Sequence, residues 1–491
     1  MHPSKTAYLI HYGIAPYLKE ELTRALQKLQ YFVVCFDEAM NKVSQQKQLD
    51  ILIRFWDSST NTVSTRYLTS SFMGHCTNTD LLTHLKECLS DLSLSAILQL
   101  SMDGPNVNWL FFDNFKKDIR EDETDPYILE LGSCGLHVIH GALEYSLRQT
   151  DWSINQFLNS NYYLFHDSPA RRSDFIQITN TRLFPKKYCP HRWVENVPVI
   201  ERILLIFDSL SKYCKEIHPK PTVPSFRTVS ELTTDPFTKA KLEFVKSISL
   251  ELQIFLTKFQ SSKPLIPFLH TDLSNIVRKL LKRFVQEDLI DSADTTIKLL
   301  KINVEITDAN KGLKPLNSID IGLGARSVLR TIAALKLTNY DLRKLGFLRD
   351  CQKIFSHLLL KLFSRSPLGY KCVRFLDCLN PAIIVQNKTA ARNHMEQLLE
   401  HLVSQKRINS TKGELILNEF DNLLKNEIII ENLTKFDYSN SSLDVFYSQE
   451  IGQSPHFTHL FDLIKMMLIL SHGNATIESV FLSMKVYWLK I

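Results

Sequence analysis

Short strand-like apolar runs occur only early in this chain, and that divides the sequence. Between residues 31 and 102 they come in short runs: Tyr31-Phe-Val-Val-Cys-Phe36, Leu49-Asp-Ile-Leu-Ile-Arg-Phe-Trp56, a Thr-, Val-, Tyr- and Leu-rich stretch over roughly 62–72, and Ile97-Leu-Gln-Leu-Ser-Met102. Runs of this length, bounded by turn residues such as Asn61, predict strands. From about 195 onward the apolar residues recur at helical spacing, as in Leu280-Leu-Lys-Arg-Phe284 and Leu358-Leu-Leu-Lys-Leu-Phe363. A chain patterned this way is α/β in its first part and all-helical afterwards.

Helices are expected over 5–30, where Leu18, Leu22, Leu26 and Leu29 share one face, and from Asn78-Thr-Asp80 onward, with Leu81, Leu82, Leu85, Leu89 and Leu92 as the apolar stripe. Further helices are expected after Pro105 and over about 136–149, with a short strand around 129–134 between them. Three strands, a helix, a strand, a helix, a strand and a helix is the order of a ribonuclease-H-like fold. In that fold the first and fourth strands lie side by side and parallel, which brings Asp37 and Asp103, the residues that close them, to one edge. Pro219, Pro221, Pro224 and Pro236 punctuate a Ser- and Thr-rich stretch that reads as a boundary.

The 491 residues are 44% hydrophobic and 22% charged, enough for two or three globular domains. A net charge of +6 permits nucleic-acid binding through a local basic face without requiring it. The nine cysteines are odd in number and lack short paired spacings, so they read as reduced thiols. Met1-His-Pro-Ser-Lys-Thr-Ala7 has no charged-then-apolar leader pattern, and no apolar run approaches the roughly 20 residues that span a bilayer. The expectation is an intracellular protein, nuclear or cytosolic, with no membrane contact.

Asp37, Asp103 and a late acid, Glu478, are the candidate catalytic and metal-binding residues. Three carboxylates gathered at one sheet edge can bind divalent cations for phosphoryl transfer. Structural alternatives stand beside this: Asp37 as a turn residue and Asp103 as a helix N-cap. Cys134 and His137 have a ligand-like spacing that Cys189 and His191 could complete as a zinc site. Packing and hydrogen bonding beside the acids is the preferred reading, and zinc is not expected. Lys186, Lys187 and Arg192 can neutralise phosphates, and Trp193 can stack on an unpaired base or lie in a core. Arg278, Lys279, Lys282 and Arg283 read as the wet face of a helix.

The closing stretch Ser471-His-Gly-Asn-Ala-Thr-Ile-Glu-Ser-Val-Phe-Leu-Ser483 resembles the C-terminal signature of hAT-superfamily transposases and proteins derived from them. Phe36-Asp-Glu38 resembles the first acidic motif of that family, although Ala39-Met40 follows where Ser-Thr is usual. Met102-Asp-Gly-Pro-Asn106 resembles the second acidic motif, Cys134-Gly-Leu-His137 the Cys-x-x-His motif, and Arg192-Trp193 the Arg-Trp pair. All five occur in family order.

The resemblance implies a ribonuclease-H-like core interrupted by a large all-helical insertion. It divides the chain into an N-terminal helical segment (1–30), a first core part (31–218), the insertion (237–430), and a return to the core with a truncated dimerisation region (431–491). It also implies Mg²⁺ or Mn²⁺ held by Asp37, Asp103 and Glu478, DNA strand cleavage and transfer, and homodimer or other self-association. The zinc finger with which relatives usually begin has no counterpart before the first helix, and the chain stops where relatives continue into a further helix. A catalytically silent domesticated protein, binding DNA or protein through its dimerisation region, is therefore the alternative expectation.

Overall fold

The computed structural model describes residues 3–473 apart from 42–43, 75–76, 105, 121, 123 and 308–310. The fold is mixed α/β and divides into two compact units. The first gathers three stretches of chain, Met1–Leu136, Phe259–Asp272 and Pro367–Ile491; the second holds His137–Lys258 and Leu273–Ser366. Among the described residues no helix is long and apolar enough to cross a membrane.

The first unit opens with helix α1 (Pro3–Leu9), a π-helical stretch (Ile10–Ile14) and helix α2 (Ala15–Leu26). Strands β1 (Phe32–Asn41), β2 (Gln46–Asp57) and β3 (Thr62–Met73) form an antiparallel meander, with Asn61 at φ 52° in the second turn. Asn tolerates that left-handed backbone better than other non-glycine residues. Helix α3 (Asn78–Cys88) follows, its start fixed by a capping box in which Thr77 and Asp80 each accept the other's backbone N–H. It carries the chain back so that β4 (Ile97–Ser101) enters parallel to β1, and the sheet order is β3-β2-β1-β4. Helix α4 (Asn106–Asp118) comes next. The segment expected as a fifth strand is irregular, yet it runs beside β4: the Leu129 N–H donates to the Leu98 carbonyl at 2.8 Å. Helix α5 (Gly135–Leu147) then begins.

The strand period of two gives the sheet two unlike faces. Phe32, Val34, Phe36, Leu49, Ile51, Ile53 and Phe55 form one core with Leu22 and Leu26 of α2, Leu81 and Leu85 of α3, and Phe111 and Phe115 of α4. The other face carries Cys35, Asp37, Gln48, Asp50, Arg54, Gln99 and Ser101, as the cross-strand register requires. A polar face can be buried only if its groups find partners, and here the later stretches of chain supply them.

Arg54 does most of this joining. It is 4% exposed, and its guanidinium donates to the Ile469 carbonyl at 3.0 Å, the Ser262 carbonyl at 2.9 Å and Thr65 Oγ1 at 3.1 Å. Gln99 exchanges two bonds with the Ser471 backbone, at 3.0 and 2.7 Å, and the Ser101 hydroxyl donates to Ser471 Oγ at 3.1 Å. His472 donates through Nε2 to the Phe259 carbonyl at 3.0 Å. Arg407 repeats the device at the other edge, donating to the carbonyls of Tyr127, Ser95 and Ile97.

The second unit is all helical among its described residues, apart from an isolated bridge between Val285 and Leu313. Its basic run is not a wet face throughout. Lys279 and Lys282 are exposed, but Arg283 is 4% exposed and donates to Glu251, Ser247 and the Asp320 carbonyl. Arg278 donates to the carbonyls of Ile290 and Ala293. Amphipathic spacing alone cannot distinguish a solvated arginine from one that closes a loop onto its helix.

Replacing Arg54 with Met keeps the volume and removes the donors, leaving the Ile469 and Ser262 carbonyls unsatisfied. It should lower the unfolding free energy by about 3 kcal/mol. Urea denaturation measures this, and a loss below about 1 kcal/mol would mean that other contacts hold the segments. Burial, and then the nearby Arg54 charge, push His472 down to about 4. Between about 6.5 and 4 the unfolded chain binds a proton there and the folded chain does not, so stability falls as pH falls through that window. His472→Asn should flatten this slope relative to wild type; an unchanged slope would remove His472 as its source.

Candidate functional site

The register of β1 on β4 fixes the two acids. Cys35 stands opposite Ser101 in the last parallel pair, and Asp37 and Asp103 each lie two residues beyond it. They therefore sit on adjacent parallel strands, but Asp37 does not close its strand: β1 runs on to Asn41 through its pairing with β2, and only Asp103 lies past a strand end, that of β4. Both are half-buried. One Asp37 carboxylate oxygen accepts the Glu38 N–H at 2.8 Å. Asp103 sits where β4 has ended, its carbonyl taking a bond from the Asn108 amide at 3.4 Å. Glu478 lies outside the described residues.

Cys134 comes back beside this edge, because its N–H donates to the Met102 carbonyl at 3.2 Å. His137 follows in the first turn of α5; it is the first residue of the second unit, but that turn begins at Gly135 in the first. One carboxylate oxygen of Asp103, Cys134 Sγ and a ring nitrogen of His137 lie within 4.8 Å of one another. Sulfur, nitrogen and oxygen donors in one place suit a borderline ion such as zinc better than Mg²⁺, which takes oxygen donors. Among the described residues Cys189 and His191 are not in this cluster. Cys189 is occupied otherwise: Asn196 accepts its N–H and donates to its carbonyl, both at 2.8 Å.

The C-terminal return passes the same place. A Cβ built on Gly473 would come 2.8 Å from Cys134 Sγ, so only glycine lets the backbone approach this closely. Glycine at this position thus has a steric reason.

The basic and aromatic candidates separate. Lys186 and Lys187 are exposed, and Arg192 is half-buried and paired with Glu195 at 3.5 Å. Trp193 is fully buried; its indole N–H donates to Asn155 Oδ1 at 2.7 Å, and Tyr188 packs edge-on against the ring. Of the two readings open for this indole, stacking on a base or lying in a core, its burial favours the core group, since a desolvated aromatic with its N–H satisfied is a stable interior element. His140 lies beneath it in sequence register, its Nδ1 accepting the Val194 N–H at 3.2 Å. Burial, then His137 and Arg192, lower its pKa to about 4.

Asp50 was not among the candidates. It stands directly opposite Asp37 across β1 and β2 and is wholly buried. Its signal in the sequence is an acid inside an otherwise apolar strand run, which costs free energy unless something compensates it.

Comparison with protein-family models and with curated proteins gives no match for this chain. Its functional reading therefore comes from its own residues.

Trp193→Ala should cost about 3–5 kcal/mol of stability, and Trp193→Phe, which loses only the indole N–H bond and part of the volume, about 1–2 kcal/mol. Thermal and urea unfolding check both. A Trp193→Ala protein as stable as wild type would return this side chain to the surface and to nucleic-acid contact.

Proposed function

We propose that this protein is hAT-transposase-derived, with a ribonuclease-H-like core that acts on nucleic acid through divalent cations at Asp37 and Asp103. The observation that carries the reading is the parallel β1–β4 pair, with both acids two residues past Cys35 and Ser101. The strand order β3-β2-β1-β4 supports it, as does the segment beside β4 that takes the position of a fifth strand. Gly473 against Cys134 supports it further, because it brings the C-terminal return of the chain beside Asp103 and Cys134. Carboxylate oxygens suit Mg²⁺ or Mn²⁺, which would supply a polarised nucleophile and a stabilised leaving oxygen when bound. Cys134 and His137 support Asp103 from the side. Exposed Lys186 and Lys187 supply phosphate contacts on the second unit. DNA as partner and the nucleus as location follow from this reading.

A second reading has its own observation. Tyr8, Ile10, Tyr12, Ile14, Tyr17 and Leu18 of the N-terminal helices are all at least 50% exposed. Apolar surface of this extent favours association, with or without catalysis.

Purified protein with Mg²⁺ or Mn²⁺ should nick supercoiled plasmid or hairpin DNA, and Asp103→Asn should reduce the rate at least a hundredfold while leaving Tm within about 2 °C. Wild-type protein that binds DNA without metal-dependent cleavage would leave only the silent, associating form.

A further inference from the structure

Asp50 is the one acid on the polar face of the sheet that the proposed function does not use. Its surroundings are unusual for a structural carboxylate. It is 0% exposed in the middle of β2. Oδ1 accepts from Gln48 Nε2 at 2.8 Å and from the Ser70 hydroxyl, which also shares a hydrogen bond with Tyr67. Oδ2 is equally buried and has no hydrogen-bond partner among the described residues.

No cation among the described residues neutralises this group. The cation on that face of β2, Arg54, lies four residues further along the strand and makes no ion pair with it: Nε and Nη1 donate to Ile469, Ser262 and Thr65, and Nη2 is itself buried without a partner. A buried carboxylate with one oxygen pinned by two donors and the other bare is the arrangement that orients a metal-ligating carboxylate.

Asp37 is its direct cross-strand neighbour, and side chains at such positions share a face with Cβ atoms roughly 4.5–5.5 Å apart. Two carboxylates at that spacing can share one small divalent ion, and Mg²⁺-type ions are commonly held by one or two carboxylates with water or phosphate oxygens filling the remaining positions.

We infer that Asp50 and Asp37 together hold a divalent cation, with Asp50 as its buried ligand. This deepens the proposed function and rests on it only for the role of Asp37; cation binding at this pair does not require strand cleavage. It also makes β2, and not only β1 and β4, a ligand-bearing strand.

The test is Mn²⁺ binding to the full chain, followed by electron paramagnetic resonance of free Mn²⁺ and by the Mn²⁺-induced rise in Tm. Asp50→Asn keeps the shape and an acceptor for Gln48 and Ser70, and should weaken Mn²⁺ binding at least tenfold and abolish the Tm rise. Asp37→Asn, at a half-buried position that leaves Asp50 in place, should do the same and carries the test if Asp50→Asn does not fold. Wild-type affinity in either variant overturns the inference. The two readings fail separately. Binding that depends on Asp103 but not on Asp50 would sink this inference and spare the catalytic reading. Binding that depends on Asp50, in a protein that cleaves no DNA, would do the reverse.

Discussion

One side chain, Arg54, bonds to both of the later stretches of the first unit. Arg54 lies on the polar face of the sheet, and its donors meet carbonyls 208 and 415 positions away in the chain. A guanidinium is suited to this, because it presents several donors in a fixed plane and stays charged when buried. Burial lowers its pKa, while the neighbouring Cys35 and Asp444 act the other way. The carbonyls it serves belong to Phe259–Asp272 and Pro367–Ile491, so Arg54, together with Gln99 and Ser101, ties the polar face of the sheet to the stretches that cover it.

The two faces of the sheet divide the chemistry. One face is apolar and could be rebuilt with other aliphatic residues of similar volume. The other carries Arg54, Gln99, Ser101, Cys35, Asp37 and Asp50, with Asp103 just past the end of β4. Buried polar groups of this kind carry large penalties when mismatched, which makes the face a specific surface rather than a filler. Cys35 shares it, its thiol pushed up to about 11 by burial, and is therefore a packing group there rather than a reactive one.

Much of this was legible in the sequence, for a physical reason. Strand and helix periods are local, so β1 to β4, α3 and α5 follow from spacing, and Asp37 and Asp103 from their position at the ends of apolar runs. What was not legible depends on distant chain. Nothing near Trp193 says that Asn155 will receive its N–H, and nothing near Arg283 says that Glu251 will come to meet it. Asp50 was visible as an oddity, but its burial is set by what covers the polar face. The same limit applies to the units themselves: Phe259–Asp272 reads as ordinary helix and loop, and only long-range bonds assign it to the sheet.

That discontinuity has a consequence during synthesis. The sheet strands leave the ribosome early, but the carbonyl of Ile469 that Arg54 requires follows 415 residues later. At roughly 5–20 residues per second this is an interval of about 20–80 s. Throughout it a nascent sheet displays an unsatisfied arginine and a row of polar groups on the surface that will become its interior. The chain between, including the whole second unit, must fold while tethered to that unfinished layer. Unpaired strand edges and surface exposed for that long make a nascent species prone to aggregation until its last stretch arrives.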